Sequence, residues 1–165
     1  MTFPADDLVH PLETAIRPGS DAGIIDGRLL GQHDVRITID RICTVLGLPR
    51  PRVYVSERPG HAHAPGALRI AERSLVDLSP DELEALLAHA CGHLVLPPYS
   101  GELSADRVAA LYHGHPDAIT RVIFAEAVHS GRAAAPDHTV RVREIQAWTA
   151  TPGFARLAAL VRFAT

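Results

Sequence analysis

The sequence predicts an α+β fold in one domain: a small N-terminal sheet packed on a long helix, then a helical C-terminal half. Three observations predict it. Strand-like runs (residues 52–56 and 61–72) come early, whereas apolar residues at helical spacing dominate after residue 78. The 165 residues suit a single domain with a real core, and no internal repeat or low-complexity linker divides residues 1–165. A hydrophobic content of 47% and a charged content of 21% are ordinary for a globular chain.

Residues 1–20 contain Pro4, Pro11, Pro18 and Gly19 and read as an extended or partly helical arm. The stretch 34–48 places Val35, Ile39, Ile42, Val45 and Leu46 at helical spacing, and Gly47 and Pro49 end it. "RVYVS" (52–56) is a short β-rich run and so a strand. "HAHAPGALRIAE" (61–72) alternates around Pro65-Gly66 and fits two short strands joined by a turn.

"LSPDELEALLAHACGHL" (78–94) carries the strongest helix signal. Ser79 suits the N-cap, Pro80 the first helical position, and Glu82 stands where a capping box needs it. Leu83, Leu86, Leu87, Ala90 and Leu94 form one apolar stripe, and Pro97-Pro98 stops the helix. Further helices are expected from about Glu102 to Tyr112, after Pro116, over "PDHTVRVREIQAW" and over "GFARLAALVRF". Trp148 is expected to pack among the C-terminal helices.

Composition narrows the function. A net charge of −3, with His neutral, gives no basic field for nucleic acid. No apolar run reaches the length of a membrane span, and the acidic start is no signal peptide. Two cysteines, Cys43 and Cys91, make no disulfide framework, which points to a reducing, cytoplasmic compartment.

The ten histidines include His89 and His93, four apart in the strongest helix. A helix turns about 100° per residue, so positions four apart differ by only about 40°. Their imidazoles project from one face, one turn apart, and can reach one zinc ion. A catalytic zinc takes three protein ligands and keeps a fourth position open. The third donor must come from a neighbouring element. "GELSADRVAAL" supplies Glu102, with Asp106 one turn later to hold a ligand histidine through its other ring nitrogen. Gly92 in mid-helix disfavours the helix by about 1 kcal/mol relative to Ala, which calls for close packing there.

These motifs together resemble the HtpX-like and CAAX-prenyl-protease zinc metallopeptidases, a branch of the gluzincins. The resemblance runs from about residue 29 to 163. "LSPDELEALLAHACGHL" is similar to the family's segment ending in H-E-x-x-H, "GELSADRVAAL" to its E-x-x-x-D helix, "HAHAPG" to its N-A-x-A-x-G strand segment, and "APDHTVRVREIQAW" to its H-P-x-x-x-x-R segment. It implies zinc held by His89, His93 and Glu102, with Asp106 behind a ligand histidine. It further implies a peptide or protein substrate paired along the strand near His61, Ala62, His63, Ala64 and Gly66. Arg141 matches the family's C-terminal Arg; otherwise Arg132, Arg141 and Arg143 read as a solvated face, and His113 and His115 as solvated loop residues.

Four departures bear on the activity. Ala90 stands where the family has the Glu that moves the proton during hydrolysis. Ala135-Pro136 replaces His-Pro, so the family's oxyanion-steadying His is missing or displaced to His138. His61 and His63 replace an Asn and an apolar residue. The family's membrane spans are absent. A positioned acid–base is worth about 10²–10⁴ in rate, so the chain as written is expected to be a zinc metallopeptidase scaffold with little or no activity. Two origins fit Ala90: a Glu→Ala change introduced into an active enzyme, or a natural non-peptidase metalloenzyme or peptide-binding pseudoprotease. Cys91 lies about 200° round the helix from His89 and offers no substitute base. The substrate, the cleavage site and the oligomeric state stay open.

Overall fold

A computed structural model describes residues 10–11, 28–56, 60–129 and 136–163. Within them a small sheet and seven helices assemble in an α+β arrangement. Strand β1 (His10–Pro11) belongs to the segment expected as an arm. Helix α1 (Arg28–Leu46) follows, then β2 (Arg52–Ser56), β3 (Ala62–Ala64) and β4 (Ala67–Ala71). The chain continues through α2 (Glu72–Asp77), α3 (Pro80–Val95), α4 (Glu102–His113), α5 (Asp117–His129), α6 (Pro136–Thr149) and α7 (Pro152–Phe163). None of the described helices is long and apolar enough to cross a membrane.

The strand order is β1-β2-β4-β3. The central pair β2/β4 is parallel, with Val53 opposite Leu68 and Val55 opposite Ile70. β3 returns against β4 as a hairpin, with His63 opposite Leu68, and among the described residues its other edge has no strand partner. Gly66 makes that hairpin possible: its φ of +71° is a left-handed conformation that a side chain would strain. β4 is covered on both faces, and its Leu68, Ile70 and Ala71 are buried.

Helix α3 is the centre of the molecule and touches α1, α4, α5 and β3. Residues Ala85 to His93 are all buried, so this helix is covered around most of its circumference rather than along one stripe. Its start carries the expected capping box: Ser79 Oγ accepts from the Glu82 N–H, and the Ser79 N–H donates to Glu82 Oε2 at 2.9 Å. Around it, Val35, Ile39, Ile42 and Cys43 of α1 and Ile119, Val122 and Ile123 of α5 complete one apolar core. Trp148 packs edge-to-face on Phe154, with centroids 5.1 Å apart, and so joins α6 to α7 as expected.

Gly92 explains how close α3 and α4 come. A Cβ there would lie 3.1 Å from Val108 Cβ and 3.2 Å from the backbone Cα of Ala105. With Ala105 and Ala109 also buried, small residues on both sides let the helices approach. That approach brings the N-terminal turns of α4 alongside the histidines of α3.

Candidate metal centre

Four donor groups converge at the start of β3, on α3 and at the first turn of α4. They belong to His61, His89, His93 and Glu102, and their ligating atoms all lie within 4.8 Å of one another. His89 Nε2 lies 3.1 Å from His61 Nε2, 3.2 Å from His93 Nε2 and 3.1 Å from Glu102 Oε2. Glu102 Oε1 is 3.4 Å from His93 Nε2. His89 and His93 are buried, whereas Glu102 keeps about half its side chain exposed, so the cluster meets solvent on the α4 side.

The surrounding carboxylates fix how the rings point. His61 Nδ1 donates to Glu126 Oε1 of α5 at 3.0 Å. Asp106 Oδ1 lies 2.9 Å from His89 Nδ1, a contact bent away from the ideal ring N–H direction. Asp106 is fully buried and receives two hydrogen bonds of 2.7 Å from the Arg141 guanidinium of α6. With its Nδ1 proton on Glu126, a neutral His61 presents a bare Nε2 lone pair to His89 Nε2. That lone pair can accept a proton from His89 or bind a metal ion. Three imidazoles, an ionised carboxylate and outward-facing carboxylate partners form a set that fits a divalent cation.

The electrostatics of the metal-free cluster agree. Burial disfavours a charged His89, but hydrogen bonds to Asp106 and Glu102 outweigh it and push its pKa up to about 9. Hydrogen bonds to His89 and His93 hold the Glu102 carboxyl far below the usual carboxylate range. Burial works to raise Asp106 and Glu126, yet Arg141 and His89 lower the first and His61 lowers the second. The cluster thus stores positive charge and holds its carboxylates ionised.

His89, His93 and Glu102 are brought together, and Asp106 stands behind His89. Arg141 belongs to this site rather than to a solvated face, with its side chain only 14% exposed and paired to Asp106. His61, expected along a substrate strand, joins the donor cluster. His63 stacks parallel on His93, with centroids 4.3 Å apart, and burial followed by the neighbouring histidines lowers its pKa. Ala62 and Ala64 lie in the edge strand, half-buried, with Gly66 at its turn. His138 sits half-buried on α6 and is not among the converging donors; Ala135 lies outside the described residues. Ala90 is completely buried within the apolar core. Cys91 is buried against Cys43, and that contact and burial push its thiol up, so it offers no thiolate donor.

Sequence reasoning missed His61 as a donor and Glu126 altogether. His61 and His63 stand two apart, so strand alternation puts them on one face. That spacing was the available signal for two imidazoles facing one neighbour. Glu126 carries no local signal, because only the packing of α5 brings it to His61. No protein-family model matches the chain, and neither a curated protein nor a solved structure matches it.

Proposed function

We propose that the chain is a zinc-binding protein on a scaffold like that of the HtpX-like metallopeptidases, and that it does not hydrolyse peptides efficiently as written. The single observation that carries the metal reading is the convergence of His61, His89, His93 and Glu102. Zinc suits the set because zinc–nitrogen and zinc–oxygen bonds of about 2.0–2.2 Å place tetrahedral donors roughly 3.3–3.6 Å apart. Four of the donor pairs lie 3.1–3.4 Å apart and all donors within 4.8 Å, close to that spacing.

In an open site, zinc polarises a carbonyl and acidifies a water. This chain's residues supply the holding of the metal but not the movement of the proton. Asp106, gripped by Arg141, orients His89, and Glu102 contributes the negative charge. The methyl of Ala90 can neither take a proton nor return one to a leaving amine. A peptide substrate along the exposed edge of β3 remains part of the proposal, by strand addition.

Metal analysis of protein purified without added zinc tests the reading. About one equivalent is expected, with loss in His89→Ala. Less than about a tenth of an equivalent in the parent chain, unchanged by zinc dialysis, would end it. Cleavage of a peptide library by the zinc-loaded chain is expected to stay at background, and rapid turnover would reject the inactive assignment.

A further inference from the structure

We infer that His61 is the fourth protein donor of this centre, that Glu126 holds it there, and that the site is closed where a hydrolytic site would be open. The inference rests on the zinc reading above and decides the coordination. Ala90 then belongs to the design of the site and is not damage to it.

Distance is the first support. His61 Nε2 stands 3.1 Å from His89 Nε2, the same distance as Glu102 Oε2. A residue acting on the metal only through a water would sit farther out, by about the 2.8 Å of one hydrogen bond. His61 instead occupies a donor's own position. Structural zinc sites have four protein donors, and catalytic sites keep one place for water.

The second support is the pairing of rings with carboxylates. Asp106 stands at the outer nitrogen of His89, and Glu126 accepts from the outer nitrogen of His61. The two carboxylates come from different helices, α4 and α5, and each stands behind one of two rings whose inner nitrogens face each other, Glu126 by a hydrogen bond and Asp106 by a bent 2.9 Å contact. A carboxylate behind a histidine fixes its tautomer and orientation as a metal ligand. Glu126 is therefore a positioning residue, since its hydrogen bond to the centre goes to the outer nitrogen of His61.

The third support is Ala90. A closed site has no water to deprotonate and needs no base beside it. Ala90 is wholly buried among apolar neighbours rather than facing open space. A histidine donor at 61 and an alanine at 90 are thus consistent with one design, a centre that holds its metal and joins the start of β3 to α3 and α4.

X-ray absorption on the chain loaded with zinc alone, and the optical spectrum of its cobalt(II) form with and without azide, test this. Three imidazoles and intense tetrahedral cobalt bands indifferent to excess azide are expected. His61→Ala and the more conservative His61→Asn should each lose one imidazole and let azide change the spectrum. Glu126→Gln should keep three imidazoles but bind zinc about 10–100-fold more weakly. Two imidazoles in the parent chain, with an azide-sensitive spectrum that His61→Asn leaves unchanged, would overturn the inference and leave the metal centre standing. A chain that takes up no zinc would overturn both.

Discussion

Asp106 joins the part-buried Arg141 to a buried histidine, so its substitutions separate two effects. Asp106→Asn keeps the size and loses the charge, and zinc binding should weaken about 10–100-fold. Asp106→Ala also strands Arg141, and removing one partner of a buried ion pair typically destabilises by about 3–5 kcal/mol. Calorimetric zinc titration and urea unfolding measure the two separately; equal zinc affinity in Asp106→Asn and the parent would detach Asp106 from the metal. Ala90 gives a second test at this scale. A closed site predicts that Ala90→Glu alone yields no peptide cleavage, whereas a damaged but open peptidase predicts a gain of about 10²–10⁴. The legible residues were those whose relation is local. His89 with His93, and Glu102 with Asp106, are each four apart on one helix, and helical geometry alone aligns them. His61, Glu126 and Arg141 are joined to the site by tertiary packing across 28 or more residues, which no local periodicity encodes.

At the level of elements, α3 must be rigid at both ends of its buried run. Ser79→Ala removes the capping box and should lower stability by about 1 kcal/mol in urea unfolding. Hydrogen bonds from Ser79, with Arg121 nearby, hold Glu82 below the usual carboxylate range against burial. A lowered carboxyl favours the fold above its unfolded pKa of about 4.3 and loses that contribution as the pH falls through its folded value. Glu82→Gln should therefore flatten the acid side of the stability profile below about pH 4.3 and leave its alkaline side unchanged. Gly92→Ala sets a helix-propensity gain of about 1 kcal/mol against a contact with the Ala105 backbone that cannot flex away. Separation of α3 from α4, seen as weaker zinc binding, is the expected result; unchanged affinity would show that the close approach is not needed. Helices α1 and α3 to α7 were readable because period and punctuation agree, although α1 begins at Arg28, six residues before the stretch 34–48 that its apolar spacing marked. The six-residue α2 was not, because it is shorter than two turns and buries only Leu75. β1 also escaped notice, since it is two residues long and contains Pro11.

For the molecule as a whole, the metal would clamp the strand edge, the central helix and its neighbour at one point. The metal-free cluster gathers imidazoles around one stored charge, so the ion should stabilise the fold by mass action, by about 2.7 kcal/mol at a free concentration one hundred times the dissociation constant. A chelator should lower the melting temperature of the parent chain and have no effect on His89→Ala. The α+β class was legible from the order of its patterns, but the joining of β3 to the metal helix was not, because it depends on how a hairpin docks 28 residues away from its target. Anomalous diffraction at the zinc edge, from crystals of protein purified without added metal, tests the central claim most directly. A single peak is expected between the Nε2 atoms of His61, His89 and His93 and the carboxylate of Glu102, within about 2.0–2.2 Å of each. No peak there at full zinc saturation, or a peak whose nearest protein donors exclude His89 and His93, would contradict it.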